Sequence, residues 1–292
     1  MRYDILYRGP LRSCNYNCSY CPFATCRESD DDLEQDKAAL FRFVEWVEQR
    51  AKTGGETGIF FTPFGEALVR PWYREAIIKL SNMAHVIKTA VQTNLSCDLD
   101  WLEQCCKKTI AIWASCHPDQ TEVNRFAEKC RGLHEKKIRI SAGVVGVRGN
   151  FGAIGRLREE LPNDLYLWVN AYKRDANYYR ADEVKYLKSI DPLFHYNLAP
   201  WPSFGKTCRA GETVFSVRGD GAVTGCHFQE NILGNIYEEE PVHFLKKRRC
   251  TIPFCRCHIG YVHMHDSGLY EIFGDGVMER VPEHLGSFTT NH

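Results

Sequence analysis

Segments with strand and helix character alternate six times over the first two thirds of this 292-residue chain, and no other feature narrows the fold as much. The predicted strands are residues 3–7, 59–62, 86–92, 110–115, 138–147 and 165–171. Between and after them the pattern predicts helices from Asp30–Asp32 to near Gly54-Gly55, then over 72–80, 98–106, 119–133, 152–160 and 181–189. Asp30 to Asp32 supply the acidic residues that favour a helix start, and Leu40, Phe43, Val44 and Val47 recur at helical spacing. Strands joined through helices are parallel, so an α/β chain with crossover helices is expected. After Pro200-Trp201-Pro202 the pattern changes to short strands and turns. There 215–217 and 222–224 flank Arg218-Gly219-Asp220-Gly221, a hairpin signal in which glycine supplies positive φ.

Fourteen cysteines are the second constraint. Met1-Arg2-Tyr3-Asp4 begins no apolar run of signal-peptide length and no stretch approaches a membrane span, so a cytoplasmic protein is expected. In a reducing compartment such a count argues for metal or redox use over disulfides. Nine of the fourteen cysteines lie in two groups, at 14–26 and at 208–257. Lys plus Arg and Asp plus Glu balance at 37 each, which leaves no global field for nucleic acid or anionic lipid.

Cys14-Asn15-Tyr16-Asn17-Cys18-Ser19-Tyr20-Cys21 places three thiolates on one short loop, with an aromatic just before the last. Thiolates are the ordinary ligands of iron-sulfur clusters, and three of them leave one iron of a [4Fe-4S] cubane open. An open position distinguishes a metal that does chemistry from one that holds a fold together. A zinc knuckle is the alternative, although zinc loops usually offer paired Cys-x2-4-Cys units and four ligands. The spacing Cys-x3-Cys-x-aromatic-Cys resembles the radical SAM superfamily. The resemblance implies that the open iron holds S-adenosylmethionine (SAM), that one electron from the cluster releases a 5'-deoxyadenosyl radical, and that Tyr20 packs against the adenine. It further implies a partial (β/α)6 TIM-like barrel over residues 1–195 and a flavodoxin- or ferredoxin-type reductant.

Sites in such barrels lie where the strands end. Gly54-Gly55-Glu56-Thr57 and Phe64-Gly65-Glu66-Ala67 both compare with the superfamily's glycine-rich motif for the methionine amino group. The first precedes its strand, whereas the second follows it. Gly65 and Glu66 are therefore the expected pair, although Phe64 and Ala67 depart from the superfamily's Gly and Pro. Asn94 and Ser115 follow the third and fourth strands, where such enzymes contact ribose or carboxylate; as polar turn residues they would also cap the next helix. Gly143-Val144-Val145-Gly146 is similar to the motif that backs the adenine, which puts Val144 among the expected contacts, but glycines in a strand also mark close packing. His117 at the same rim is a candidate proton carrier or a loop cap. Cys97 is a candidate hydrogen-atom donor or an inert filler.

Cys208 and Cys226 bracket the hairpin, and Cys250, Cys255 and Cys257 follow in Cys-Thr-Ile-Pro-Phe-Cys-Arg-Cys-His. Five thiols exceed the four a cluster needs. The pattern Cys-x-Ala-Gly, hairpin, Gly-x-Cys and Leu233-Gly234-Asn235-Ile236 resembles the SPASM and shorter twitch domains of radical SAM enzymes. It implies a small cysteine-rich hairpin-plus-helix domain over 196–292 with one auxiliary [4Fe-4S] cluster; a zinc site is the alternative. Cys208, Cys226, Cys255 and Cys257 are the expected ligands, and Cys250 is then a spare thiol able to quench a substrate radical, or itself a ligand in place of one of the last two. The layout is similar to aminoglycoside epimerases and dehydrogenases. The expected function is epimerisation or oxidation of a sugar or aminoglycoside, with maturation of a ribosomally made peptide second and a non-enzymatic iron-sulfur or zinc redox sensor third.

Overall fold

In the computed structural model, which describes residues 2–21, 23 and 27–283, the six expected strands are β1 (Arg2–Tyr7), β2 (Glu56–Phe61), β3 (Val86–Thr93), β4 (Ile110–Cys116), β5 (Arg139–Val145) and β6 (Leu167–Asn170). They lie parallel and side by side in chain order. Helices α1 (Asp30–Gln49), α2 (Pro71–Ser81), α3 (Val123–Glu135) and α4 (Phe151–Glu160) supply four of the five crossovers, and α5 (Ala181–Ile190) follows β6. Ser29 caps α1, its hydroxyl accepting from the Asp32 backbone N–H while Asp32 accepts from the Ser29 backbone. The third expected helix, over 98–106, forms only the 3-10 turn Asp100–Gln104. Side chains take the backbone groups a helix would have used: Asp98 accepts from Asp100 N–H, Asn82 donates to the Gln104 carbonyl, and Ser81 accepts from Cys106 N–H.

Register aligns the strand ends. Tyr7 pairs with Phe61, Phe61 with Val91, Thr93 with Ala114, Cys116 with Val144 and Val145 with Asn170. The loops that follow these strands therefore rise from one rim. The hairpin expected after residue 200 forms from Val214–Val217 and Ala222–Thr224, and its first strand pairs parallel with β1. With Ile232–Asn235 beyond it, the sheet reaches nine strands.

Each face of the sheet is buried differently. On one, Leu40, Phe43, Val44 and Val47 of α1 and their counterparts on the other helices cover Ile5, Ile59, Val91, Ile112 and Val144. On the other, Leu6, Phe60, Ala90, Trp113 and Trp168 are covered by the chain's own later residues, from Ile259 to Met278. That segment is locked by the buried Glu279 carboxylate, which meets Lys88 Nζ at 2.7 Å and Arg139 Nε at 2.5 Å. Gly143 has no side chain because the Trp168 ring lies where its Cβ would be. Among the described residues, no helix is long and apolar enough to cross a membrane.

Asp36 of α1 ties helix to rim: its carboxylate accepts from Leu11 N–H at 3.2 Å, Trp72 Nε1 at 2.8 Å and the Tyr73 hydroxyl at 3.1 Å. Burial nevertheless pushes its pKa from 3.8 up to about 6. The native state then holds a proton that the unfolded chain has released, so this site loses stability as pH rises from 4 to 6. Urea unfolding of the wild type and Asp36→Asn should show their stability difference shifting against the wild type by about 3 kcal/mol over that window, at about 1.4 kcal/mol per unit. A difference independent of pH would contradict the assignment.

Candidate active site

The cysteine loop leaves the end of β1 and is held from every side of the rim. At its base, Glu28 accepts from Arg12 and Ser13 N–H at 2.8 and 2.9 Å. The Leu11 and Ser13 carbonyls accept from Gly65 and Glu66 N–H at 3.3 and 3.1 Å. A Cβ on Gly65 would collide with the Ser13 carbonyl, so glycine is what lets the two loops lie backbone to backbone. Of the two glycine-rich stretches, Gly65-Glu66 stands at this rim, whereas Gly54 closes the turn before β2 with φ of 69°.

The Glu66 carboxylate is buried and accepts three bonds: from Thr93 Oγ1 and Asn94 N–H at 2.7 Å each, and from Leu68 N–H at 3.1 Å. Burial raises its pKa, and the three donors oppose that rise. Asn94 then extends toward the cysteines, donating to Asn15 Oδ1 at 3.1 Å with Cys14 Sγ 4.0 Å away. On the opposite side, the Tyr20 hydroxyl and His117 Nδ1 share a hydrogen bond of 3.0 Å, and the two rings stack at 5.9 Å. Burial pushes the His117 pKa down to about 4, so at neutral pH the ring is uncharged. Gln120 accepts from Asn17 N–H at 3.0 Å, and Arg174 donates to the Tyr20 carbonyl at 3.0 Å.

The three thiols lie within electrostatic reach of one another. Burial pushes Cys18 up to about 12, reinforced by Asp119 and the neighbouring thiols, and Cys14 is raised as well. Thiols raised in this way ionise together only around a positive centre, which is what a metal cluster supplies. Backbone N–H groups already point at the sulfurs, from Tyr16 to Cys14 and from Phe23 to Cys21, each at 3.4 Å. The donor set therefore fits an iron-sulfur cluster.

Ser115 stands half-buried on the same rim, opposite Gly143 on β5. Val144 points the other way, into the helix-side core, so only its backbone faces the mouth. Cys97 also packs against the helix-side core.

The second group of thiols surrounds a cavity lined by Cys208, Cys226, Cys250 and Cys255. Cys250 arrives because Arg248–Arg249 pairs with Thr207–Cys208, and because Cys250 exchanges backbone bonds of 2.8 Å with Gly205 and Lys206. Cys255 arrives by pairing with Trp201. Cys257 does not line it; it precedes the short helix His258–Tyr261 and, like Cys208 and Cys255, packs against the core on the second face of the sheet. Of the expected ligands the cavity brings together Cys208, Cys226 and Cys255, with Cys250 beside them. Among the described residues, no three His, Cys, Asp or Glu groups converge closely enough for a single ion. Tetrahedral zinc needs thiols about 3.8 Å apart, from Zn–S bonds of about 2.3 Å. Four thiols around one cavity match the number of ligands that a [4Fe-4S] cluster takes.

Sequence reasoning missed Arg8 and Lys173. Both follow strands and read as solvated charges, yet burial lowers the Arg8 pKa to about 10 and that of Lys173 to about 8.

No family model and no curated protein matches the chain in sequence. In structure it is similar to native anSMEcpe with bound AdoMet and Cp18Cys peptide, with a TM-score of 0.53 at 17% identity over 84% of this chain and 82% of that one. It is also similar to native anSMEcpe with bound AdoMet, at 0.53 and 16% over 83% of each chain. The α/β fold is therefore shared with proteins solved with AdoMet, as the radical SAM resemblance implied.

Glu66→Ala would leave three buried donors unpaired. Urea unfolding should register a loss of about 3 kcal/mol, and a loss under about 1 kcal/mol would show that the carboxylate does not hold the rim.

Proposed function

We propose that this chain is a radical SAM enzyme. The observation that carries the reading is the three-cysteine loop at the C-terminal rim of six parallel strands, in a fold shared with AdoMet-bound anSMEcpe. Cys14, Cys18 and Cys21 would hold a [4Fe-4S] cluster, which when bound to SAM supplies the electron that yields a 5'-deoxyadenosyl radical. Gly65 and Glu66 would offer backbone carbonyls and a buried carboxylate to the methionine ammonium. Asn94 and Ser115 offer polar contacts to the remainder of the cofactor. The stacked pair of Tyr20 and His117 gives a flat wall suited to adenine. The neutral imidazole fixes the Tyr20 hydroxyl and adds no charge to that wall.

Cys208, Cys226, Cys250 and Cys255 would hold an auxiliary [4Fe-4S] cluster in the module over 196–292. The spare thiol is then Cys257, on the barrel side and near Arg8 and Lys173. A free thiol there could return a hydrogen atom to a substrate carbon radical, giving the epimer and a thiyl radical that one electron from the reductant and one proton would restore. Without that transfer, the substrate radical would lose a proton and one electron to give the oxidised product, and an auxiliary cluster would supply the electron acceptor. A flavodoxin- or ferredoxin-type protein would supply the reducing electron. A sugar is the first substrate reading. A peptide is the second, favoured by the peptide bound to the structurally similar anSMEcpe.

The test is anaerobic reconstitution with iron and sulfide, then dithionite and SAM, with chromatographic detection of 5'-deoxyadenosine. The wild type should form it and Cys14→Ala should not; a wild type that takes up iron yet leaves SAM intact would place the protein among redox sensors. Cys250→Ala should lose about four irons per chain while Cys257→Ala retains both clusters. The reverse pattern would restore Cys250 as the spare thiol.

A further inference from the structure

A cleft opens beside the cysteine loop where β1 meets the added hairpin, lined by Arg8, Arg12, Phe64, Arg218 and His227. Its walls are held together at the hairpin turn, where a Cβ on Gly219 would stand 2.7 Å from Pro10 Cδ. Arg8 packs its guanidinium over the Phe64 ring at 4.1 Å, with the Phe23 ring at 5.8 Å. Its Nε and Nη1 are buried and have no hydrogen-bond partner among the described residues. His227 is held through Nδ1 by the Ser216 hydroxyl at 2.7 Å, and its Nε2 is likewise buried and unpartnered. Buried polar groups almost always find partners, so three unpaired nitrogens on two side chains of one cleft need an explanation. Asp220 is the acid on the cleft wall, and one of its oxygens already accepts from Ala222 N–H at 3.0 Å.

We infer that this cleft is the substrate's anion subsite: Arg8, with His227 beside it, binds a carboxylate or phosphate group on the molecule to be attacked. The inference rests on the proposed radical SAM reading for the words "substrate" and "attacked", but not for the binding itself. The guanidinium, laid flat on Phe64, presents unpaired N–H donors to an oxyanion without first having to be ordered. Phe64 joins this cleft to the SAM position, since Gly65 and Glu66 follow it directly. The same charge repels a polycation, so an aminoglycoside bearing several ammonium groups is disfavoured relative to an acidic sugar, a sugar phosphate or an acidic peptide.

Calorimetric titration of the reconstituted protein at low ionic strength with inorganic phosphate, succinate and kanamycin tests this directly. The wild type should bind one of the two anions saturably; preference for phosphate or succinate identifies which oxyanion the substrate carries. Arg8→Gln should weaken that binding by about tenfold or more, the loss expected when one charge-assisted partner is removed. Arg131→Gln, on the distant α3 surface, should not. A second measurement needs no variant: phenylglyoxal labelling of Arg8, mapped by mass spectrometry, should slow when the bound anion is present. Absence of saturable anion binding, equal binding by Arg8→Gln, or tighter binding of kanamycin would each overturn the inference. None of these readouts requires SAM cleavage, so failure of the radical reading and failure of this one are separately visible.

Discussion

The Glu66 carboxylate is the tie on which the mouth of this molecule depends. A buried acid is costly unless its oxygens are occupied, and here the loops after β2 and β3 fill them with three donors. That requirement fixes Asn94, and Asn94 in turn reaches the cysteine loop. The absence of a side chain at Gly65 lets the same loop settle on the rim by two backbone hydrogen bonds. Three thiols are therefore positioned by a buried charge and a close backbone approach, and not by their own short loop alone.

A six-stranded parallel sheet leaves its inner face open, and this chain closes it with its own later residues. Ile259 to Met278 cover Leu6, Phe60, Trp113 and Trp168, and Glu279 pairs with Lys88 and Arg139 beneath them. The hairpin that precedes this segment extends the sheet at β1, the strand from which the cysteine loop departs. Both groups of thiols are thus referred to one strand. Cys257 and Arg8, which lie within electrostatic reach of one another, owe their proximity to that shared sheet.

Much of this was legible in the sequence because it depends on local periodicity. The six strands, four of the first five helices, and the hairpin all follow from alternation, capping residues and glycine turns. The exception at 98–106 arose where side chains from α2 and Asp98 took the helix's backbone groups, a tertiary effect that no window on the sequence contains. The placement of Gly65 and Glu66 was readable from their position after a strand. The inward or outward direction of Val144 was not weighed, although strand alternation carries it: Cys116 and Val144 pair in register, and both face the helices. That Cys250 lines the same cavity as Cys208 follows from the pairing of Arg248–Arg249 with Thr207–Cys208, a long-range register set by two-residue strands too short to announce themselves. Arg8 carried no signal because burial of a charge belongs to the folded chain.

The most direct test of the central claim is electron paramagnetic resonance of the dithionite-reduced, reconstituted protein with and without SAM. In the proposed reading Cys14, Cys18 and Cys21 would leave one iron open, while Cys208, Cys226, Cys250 and Cys255 would close the other cluster. The account therefore predicts two reduced [4Fe-4S] signals, of which one shifts when SAM is added and the other does not. Signals that both ignore SAM, or a zinc-filled protein with no signal at all, would contradict it.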